Sequence, residues 1–193
     1  MTKNLVTTVL VFLTCSSLGF CQTDEKAGSD KKDEKEQKFN VADGELYFVA
    51  PATWKKIKPK FDFYHAEFQI PKAEGDDKNG RITFSQVGGS IEANLDRWIG
   101  QFRNVSDENL KRESKTVEGK KMQILHLKGT FVDGGNRPFG PKTEREDYVL
   151  IGAAIHMDEG ANVYIKAYGP SKTMMANKKH IEKLMADMKV AEN

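Results

Sequence analysis

Apolar residues recur through residues 91–102 at steps of four, three, one and three, so that Ile91, Leu95, Trp98, Ile99 and Phe102 return to one side of a helix. Glu92, Asn94, Asp96, Arg97 and Gln101 take the other side. Ser90 predicts the N-cap, its hydroxyl accepting from the free amides of the first turn, and Gly88-Gly89 supplies a flexible approach. Elsewhere the pattern has the two-residue period of strands. Residues 45–50 predict a strand that stops at Pro51, with Trp54 folding back on the core. Residues 63–70 alternate, Tyr64, Ala66, Phe68 and Ile70 facing one way and Phe63, His65, Glu67 and Gln69 the other, and residues 81–87 make the next strand. Residues 111–117 and 122–132 pair as a hairpin across Glu118-Gly119-Lys120, and residues 148–157 and 162–168 as a second across Asp158-Glu159-Gly160. Val149, Ile151, Ala153, Ile155 and Met157 share one face of the second hairpin. Gly169-Pro170-Ser171 begins a last helix with Met174, Ile181, Leu184, Met185 and Met188 as its buried stripe. An amphipathic helix needs a sheet to lie on, which predicts an α+β fold with a single antiparallel β-sheet packed with two main helices.

Ahead of residue 44 the pattern changes. Residues 1–21 carry the three parts of a secretory signal: Lys3, an apolar run over residues 5–13, and a small-residue exit through Cys15, Ser16, Ser17 and Gly19. About nine apolar residues are too few to span a bilayer, which takes roughly 20. The segment reads as a signal peptide cleaved after Gly19 or Cys21. Leu18-Gly19-Phe20-Cys21 resembles the bacterial lipoprotein box, but Phe20 stands where that pattern has a small residue. Ordinary secretion is therefore expected, with lipidation of Cys21 as the alternative and membrane attachment in that case alone. Residues 22–43 are expected to be a disordered charged tether, since residues 22–38 contain no apolar side chain larger than Ala27. The folded domain is expected over residues 44–190.

Composition narrows the chemistry. A length of 193 residues suits one domain. Lys plus Arg total 30 against 28 for Asp plus Glu, a balance that leaves no footprint for nucleic acid. Cys15 and Cys21 both fall in the signal segment, so the mature domain has no disulfide, thiol nucleophile or Cys-based metal site. His65, His126, His156 and His180 show no metal-ligand spacing, and no Gly-x-Ser-x-Gly elbow gives a serine nucleophile context. His126 and His156 would face each other across adjacent strands in one register alone; exposed surface histidines are the simpler reading. Glu74, Asp76, Asp77 and Asn79 cluster as in a calcium loop, but the closing Glu is missing and Lys78 interrupts them, which favours a solvated turn. The run from Gly135 through Gly140 to Lys142-Thr143 approaches a phosphate loop, but Pro141 offers no amide and a strand follows where a helix is required. The remaining candidate is the long Gly- and Pro-rich loop 133–147, where Arg137, Phe139, Lys142 and Arg145 set cations beside an aromatic as ligand or partner contacts. No catalytic residue, metal or cofactor is expected.

Three stretches carry a resemblance. The strand ending in Ala50-Pro51 with Trp54 after it, the Gly88–Phe102 helix, and Tyr164-Ile165-Lys166-Ala167-Tyr168-Gly169-Pro170 resemble a group of uncharacterised exported bacterial proteins. That group in turn resembles the Mog1/PsbP-like fold, an antiparallel sheet between helices. The resemblance covers about residues 44–190 and implies an α/β/α sandwich with no catalytic residues. By fold analogy it implies an accessory protein that docks on a larger assembly. The expected function is an exported, non-enzymatic binding or accessory module of the bacterial cell envelope, periplasmic or extracellular, with an envelope protein or small ligand as partner. The alternative is an envelope enzyme or small-ligand-binding protein with its site near the 133–147 loop.

Overall fold

The computed structural model describes residues 36–59, 61–134 and 142–191. The signal segment with Cys21, and the tether as far as residue 35, lie outside the described residues. Apolar alternation has produced strands almost everywhere it was strong. In chain order these are β1 (Gln37–Val41), β2 (Leu46–Ala50), β3 (Lys55–Ile57), β4 (Tyr64–Ile70), β5 (Gly80–Gln86), β6 (Phe102–Arg103), β7 (Leu110–Val117), β8 (Lys120–Asp133), β9 (Thr143–Ile155), β10 (Val163–Pro170) and β11 (Lys189–Val190). Helix α1 (Ile91–Ile99) follows β5, and α2 (Ser171–Ala186) follows β10.

The α+β class with two helices holds among the described residues, but the expected single sheet is two. A three-stranded sheet has the order β1-β2-β11, and an eight-stranded antiparallel sheet runs β3-β4-β5-β10-β9-β8-β6, with β7 also paired to β8. The division follows from where the N-terminal aromatics go. Phe39 of β1 and Phe48 of β2 pack on Phe84 of the large sheet with ring centroids 4.8 and 5.3 Å away, and Phe39 meets Phe68 at 5.0 Å. Strands that bury a face on a sheet stack over it and do not extend its edge. β1 also moves the tether boundary: Gln37–Val41 pairs with β2 where a tether to residue 43 is expected, because Phe39 and Val41 are buried.

Helix α2 lies on the same face as the small sheet and buries Met174, Ile181, Leu184 and Met185, with Met188 buried just beyond its end. Trp54 is buried beside it and donates its indole N–H to Asn177 Oδ1 at 3.0 Å. Pro170 offers no side-chain cap to α2. Asp76 supplies one instead, its Oδ2 accepting from the Thr173 amide at 2.8 Å and the Thr173 hydroxyl at 2.6 Å. The acidic loop thus places an anion on a helix N-terminus, and no cluster among the described residues is arranged to hold a metal ion.

The opposite face of the large sheet receives α1. Ser90 Oγ accepts from the Ala93 amide at 3.1 Å, the predicted cap. The helix stops at Ile99, however, and Phe102 reaches the same apolar cluster from β6. Leu95 and Trp98 are buried against Leu125, Leu127, Leu150, Ala154 and Tyr164. Asn94, placed by the periodicity on the polar side, is buried and donates to Tyr164 Oη at 2.9 Å. The true polar face ties down to β7 and β8, with Asp96 paired to Arg112 at 2.6 Å and Glu92 accepting from Gln123 at 3.2 Å.

The closest approach is made by Trp98, whose ring lies on Gly152 of β9: a Cβ at residue 152 would stand 2.5 Å from Trp98 Cζ3. Trp98→Ala should therefore cost about 3–5 kcal/mol in urea unfolding, and Gly152→Ala about 1–3 kcal/mol by overpacking. In the double variant the clash is gone, so G152A should add little to W98A; strict additivity of the two costs refutes the contact.

Candidate functional site

Helix α1 is nine residues long and covers the β8–β9 side of its face of the sheet. Over β4, β5 and β10 the same face stays open as a cleft of about 450 Å³, lined among others by Tyr64, Thr83, Ser85, Arg97, Trp98, Gln101 and Lys166. Register explains the gathering. Glu67, Thr83, Lys166 and Gly152 form one rung across β4, β5, β10 and β9, and Gln69, Arg81, Tyr168 and Leu150 form the next. A shift in the β4–β5 register between Tyr64 and Ala66 sets Tyr64 opposite Ser85, so Tyr64 lines the cleft and does not share the core face of Ala66, Phe68 and Ile70 as the alternation predicts.

Lys166 is the central cation. Its Nζ donates to Gln101 Oε1 and lies 5.1 Å from the centroid of Tyr168, 5.7 Å from Trp98 and 5.9 Å from Phe131. Burial, and then the positive charges of Arg81 and Arg97, lower its pKa to about 7. The ring faces act in the other direction, because their quadrupoles favour the ammonium.

Beside it, Arg81 Nε donates to Glu67 Oε1 at 2.6 Å, Arg81 Nη1 donates to Tyr168 Oη at 3.0 Å, and the guanidinium lies over the Tyr64 ring at 5.4 Å. Burial opposes the Arg81 charge, but the hydrogen bonds and charges of Glu67 and Tyr168 outweigh it and hold the pKa above the ordinary arginine value. Glu67 is 2% exposed. Glu67 Oε2 and Arg81 Nη2 are buried with no partner among the described residues, so this pair is only half satisfied, a costly arrangement in a sheet that elsewhere buries apolar side chains.

The residues expected at the 133–147 loop do not form a comparable centre. Arg137 and Phe139 lie outside the described residues, and Lys142 is exposed. Arg145 is held by Asp133, Nη2 to Oδ2 at 3.0 Å, inside the β8–β9 ladder. His126 stands opposite Ile151, and the backbone of His156 bonds to Lys121, so these histidines do not face each other. A second groove, of about 420 Å³, is floored by Val149 and Ile151 near α2 and lined by the half-buried His126, whose pKa burial lowers; Lys111, Glu113 and Lys128 are exposed on its rim, and among the described residues no fully buried polar side chain lines it. Sequence reasoning passed over Glu67, Arg81 and Lys166. The available signal was a lone lysine in an otherwise apolar strand, between Tyr164 and Tyr168.

No protein-family model and no curated protein matches the chain. Among solved structures, the solution structure of cyanobacterial PsbP (CyanoP) from Synechocystis sp. PCC 6803 is similar at a TM-score of 0.50 and 10% identity, over 92% of this chain and 98% of that one. The Saccharomyces cerevisiae Ran-binding protein Mog1p is similar at a TM-score of 0.45 and 12% identity, over 81% of this chain and 95% of that one. The first establishes the PsbP-like fold and, at such identity, transfers no residue role. No described helix is long and apolar enough to cross a membrane.

A lysine whose pKa is lower folded than unfolded binds fewer protons when folded, so folding gains stability as pH rises above about 7. Lys166→Met removes that dependence. Wild type should gain on K166M in urea midpoint between pH 7 and pH 9.5, and a constant gap returns Lys166 to an ordinary pKa.

Proposed function

We propose that the domain is an exported, non-enzymatic binding or accessory module of the bacterial cell envelope, and that the open cleft over β4, β5 and β10 holds its ligand or partner. One observation carries the reading: a sheet face whose other half is sealed by α1 keeps Lys166, Arg97, Gln101, Thr83 and Ser85 converging on an open volume. The charged groups are held in fixed contacts, Arg81 on Glu67 and Lys166 on Gln101, which suits recognition better than proton transfer. Phe61 and Phe63, stacked at 5.4 Å and both about half exposed (46% and 47%), extend the cleft with an apolar lip. Export is supported by the signal pattern of residues 1–21. The small-ligand alternative at the 133–147 loop is less favoured, since Arg145 is taken by Asp133.

Two measurements test this. A photo-crosslinking amino acid placed at Phe63 should capture a reproducible envelope component, while the same group at Lys179, exposed on α2, should not; equal capture from both sites rejects the cleft. Mass spectrometry of the mature N-terminus should find a chain starting at Phe20 or Gln22. A start at a lipidated Cys21 replaces secretion by anchoring, and an intact residue 1 refutes export.

A further inference from the structure

The cleft has a composition that selects for charge and shape. Its lining includes Lys166 and Arg97 and no carboxylate. The nearby Glu67 carboxylate is engaged by Arg81 at 2.6 Å and is not the counter-ion of Lys166, on which Arg81 and Arg97 both act as like charges. Arg97 is steered by a hydrogen bond from Nη2 to Asn94 Oδ1 at 2.7 Å, and Asn94 is itself fixed on Tyr164. After burial and Arg81, the Arg97 charge also disfavours the Lys166 ammonium, a repulsion that a bound anion relieves. The walls around this pair are flat and apolar: Trp98 edge-on to Tyr164 with centroids 6.0 Å apart, Val87, and the Phe63–Tyr64 pair at 4.4 Å. Thr83 and Ser85 add neutral hydroxyls on the floor. A volume of about 450 Å³ falls within the range of small-molecule sites.

We infer that the cleft takes a small organic acid: one carboxylate held between Lys166 and Arg97, on a planar apolar body lying along the wall of Trp98, Tyr64 and Phe63. The inference rests on the cleft being the binding site, and it adds the ligand class. The carboxylate receives charge-assisted hydrogen bonds from both cations, and the ring faces that now surround the Lys166 ammonium keep it directed into the same space.

The test uses the purified protein with benzoate and indole-3-acetate as probes, their neutral amides benzamide and indole-3-acetamide as shape controls, and inorganic phosphate as a charge control, read by calorimetry and thermal shift. The two acids should bind and raise Tm, while the amides and phosphate bind at least about tenfold more weakly, the scale of one lost charge-assisted hydrogen bond. Arg97→Gln, an exposed position on α1 whose change leaves the core intact, and Lys166→Met should each weaken acid binding about tenfold. Lys142→Gln, on the other candidate loop, should leave it unchanged. Equal binding of acids and amides, phosphate binding as well as the acids, or undiminished acid binding by R97Q overturns the inference. If the acids fail to bind while Phe63 still crosslinks a partner, the organic-acid inference falls and the cleft reading survives. If neither occurs, both fall.

Discussion

Trp98 reaches the sheet only because residue 152 carries no side chain. With the indole on the Gly152 backbone, α1 sits low enough for Leu95 to bury among Leu125, Leu127 and Leu150 and for Asn94 to reach Tyr164. Gly152 and Lys166 are neighbours in register on β9 and β10, so the ring that anchors the helix is also one wall around the lysine. Gln101, two residues beyond the helix end, then accepts from the ammonium. One steric permission therefore sets the helix height, closes the apolar half of the face and shapes the polar half.

That division of one sheet face is the main energetic feature of the domain. Over β8 and β9 the face is covered and apolar. Over β4, β5 and β10 it holds Glu67, Arg81, Thr83 and Lys166, whose desolvation costs more than apolar side chains at the same positions would. The cost is partly offset within the group, through Arg81 on Glu67 and Tyr168 and through Lys166 on Gln101 and three aromatic faces. Stability alone gives no reason to keep such a group in a sheet.

The far side of the sheet gives this site a firm floor. The small sheet and α2 share one apolar cluster with Phe68, Phe84, Ile151 and Ile165. Contacts between remote segments close it: Trp54 bonds to Asn177 across 123 positions and Asp76 caps α2 across 97. These are non-local terms, so the strands that present the cleft are fixed by the same cooperative core that holds β1 and Val190.

Local periodicity was legible from the sequence. The α1 stripe, the Ser90 cap, the two hairpins and the α2 stripe follow from backbone geometry, which repeats every 3.6 or every two residues whatever the partner is. The composition of loop 133–147 suggested a cation site, but composition does not report pairing, and Asp133 holds Arg145. The stacking of β1 and β2 over the large sheet was not legible, because a strand that stacks and a strand that extends an edge show the same alternation. Nor were the end of α1 at Ile99, the burial of Asn94 or the bulge that turns Tyr64 toward the cleft. The sequence by itself therefore determined the two helices, the two hairpins and the apolar stripes that recur with a regular period, but not β1, the start of β9 at Thr143, or the faces taken by Asn94 and Tyr64. Only the tertiary structure decided that Arg81 meets Glu67 and Tyr168 beside Lys166, because register between strands drawn from 14 and 87 positions apart is chosen by burial of the whole core.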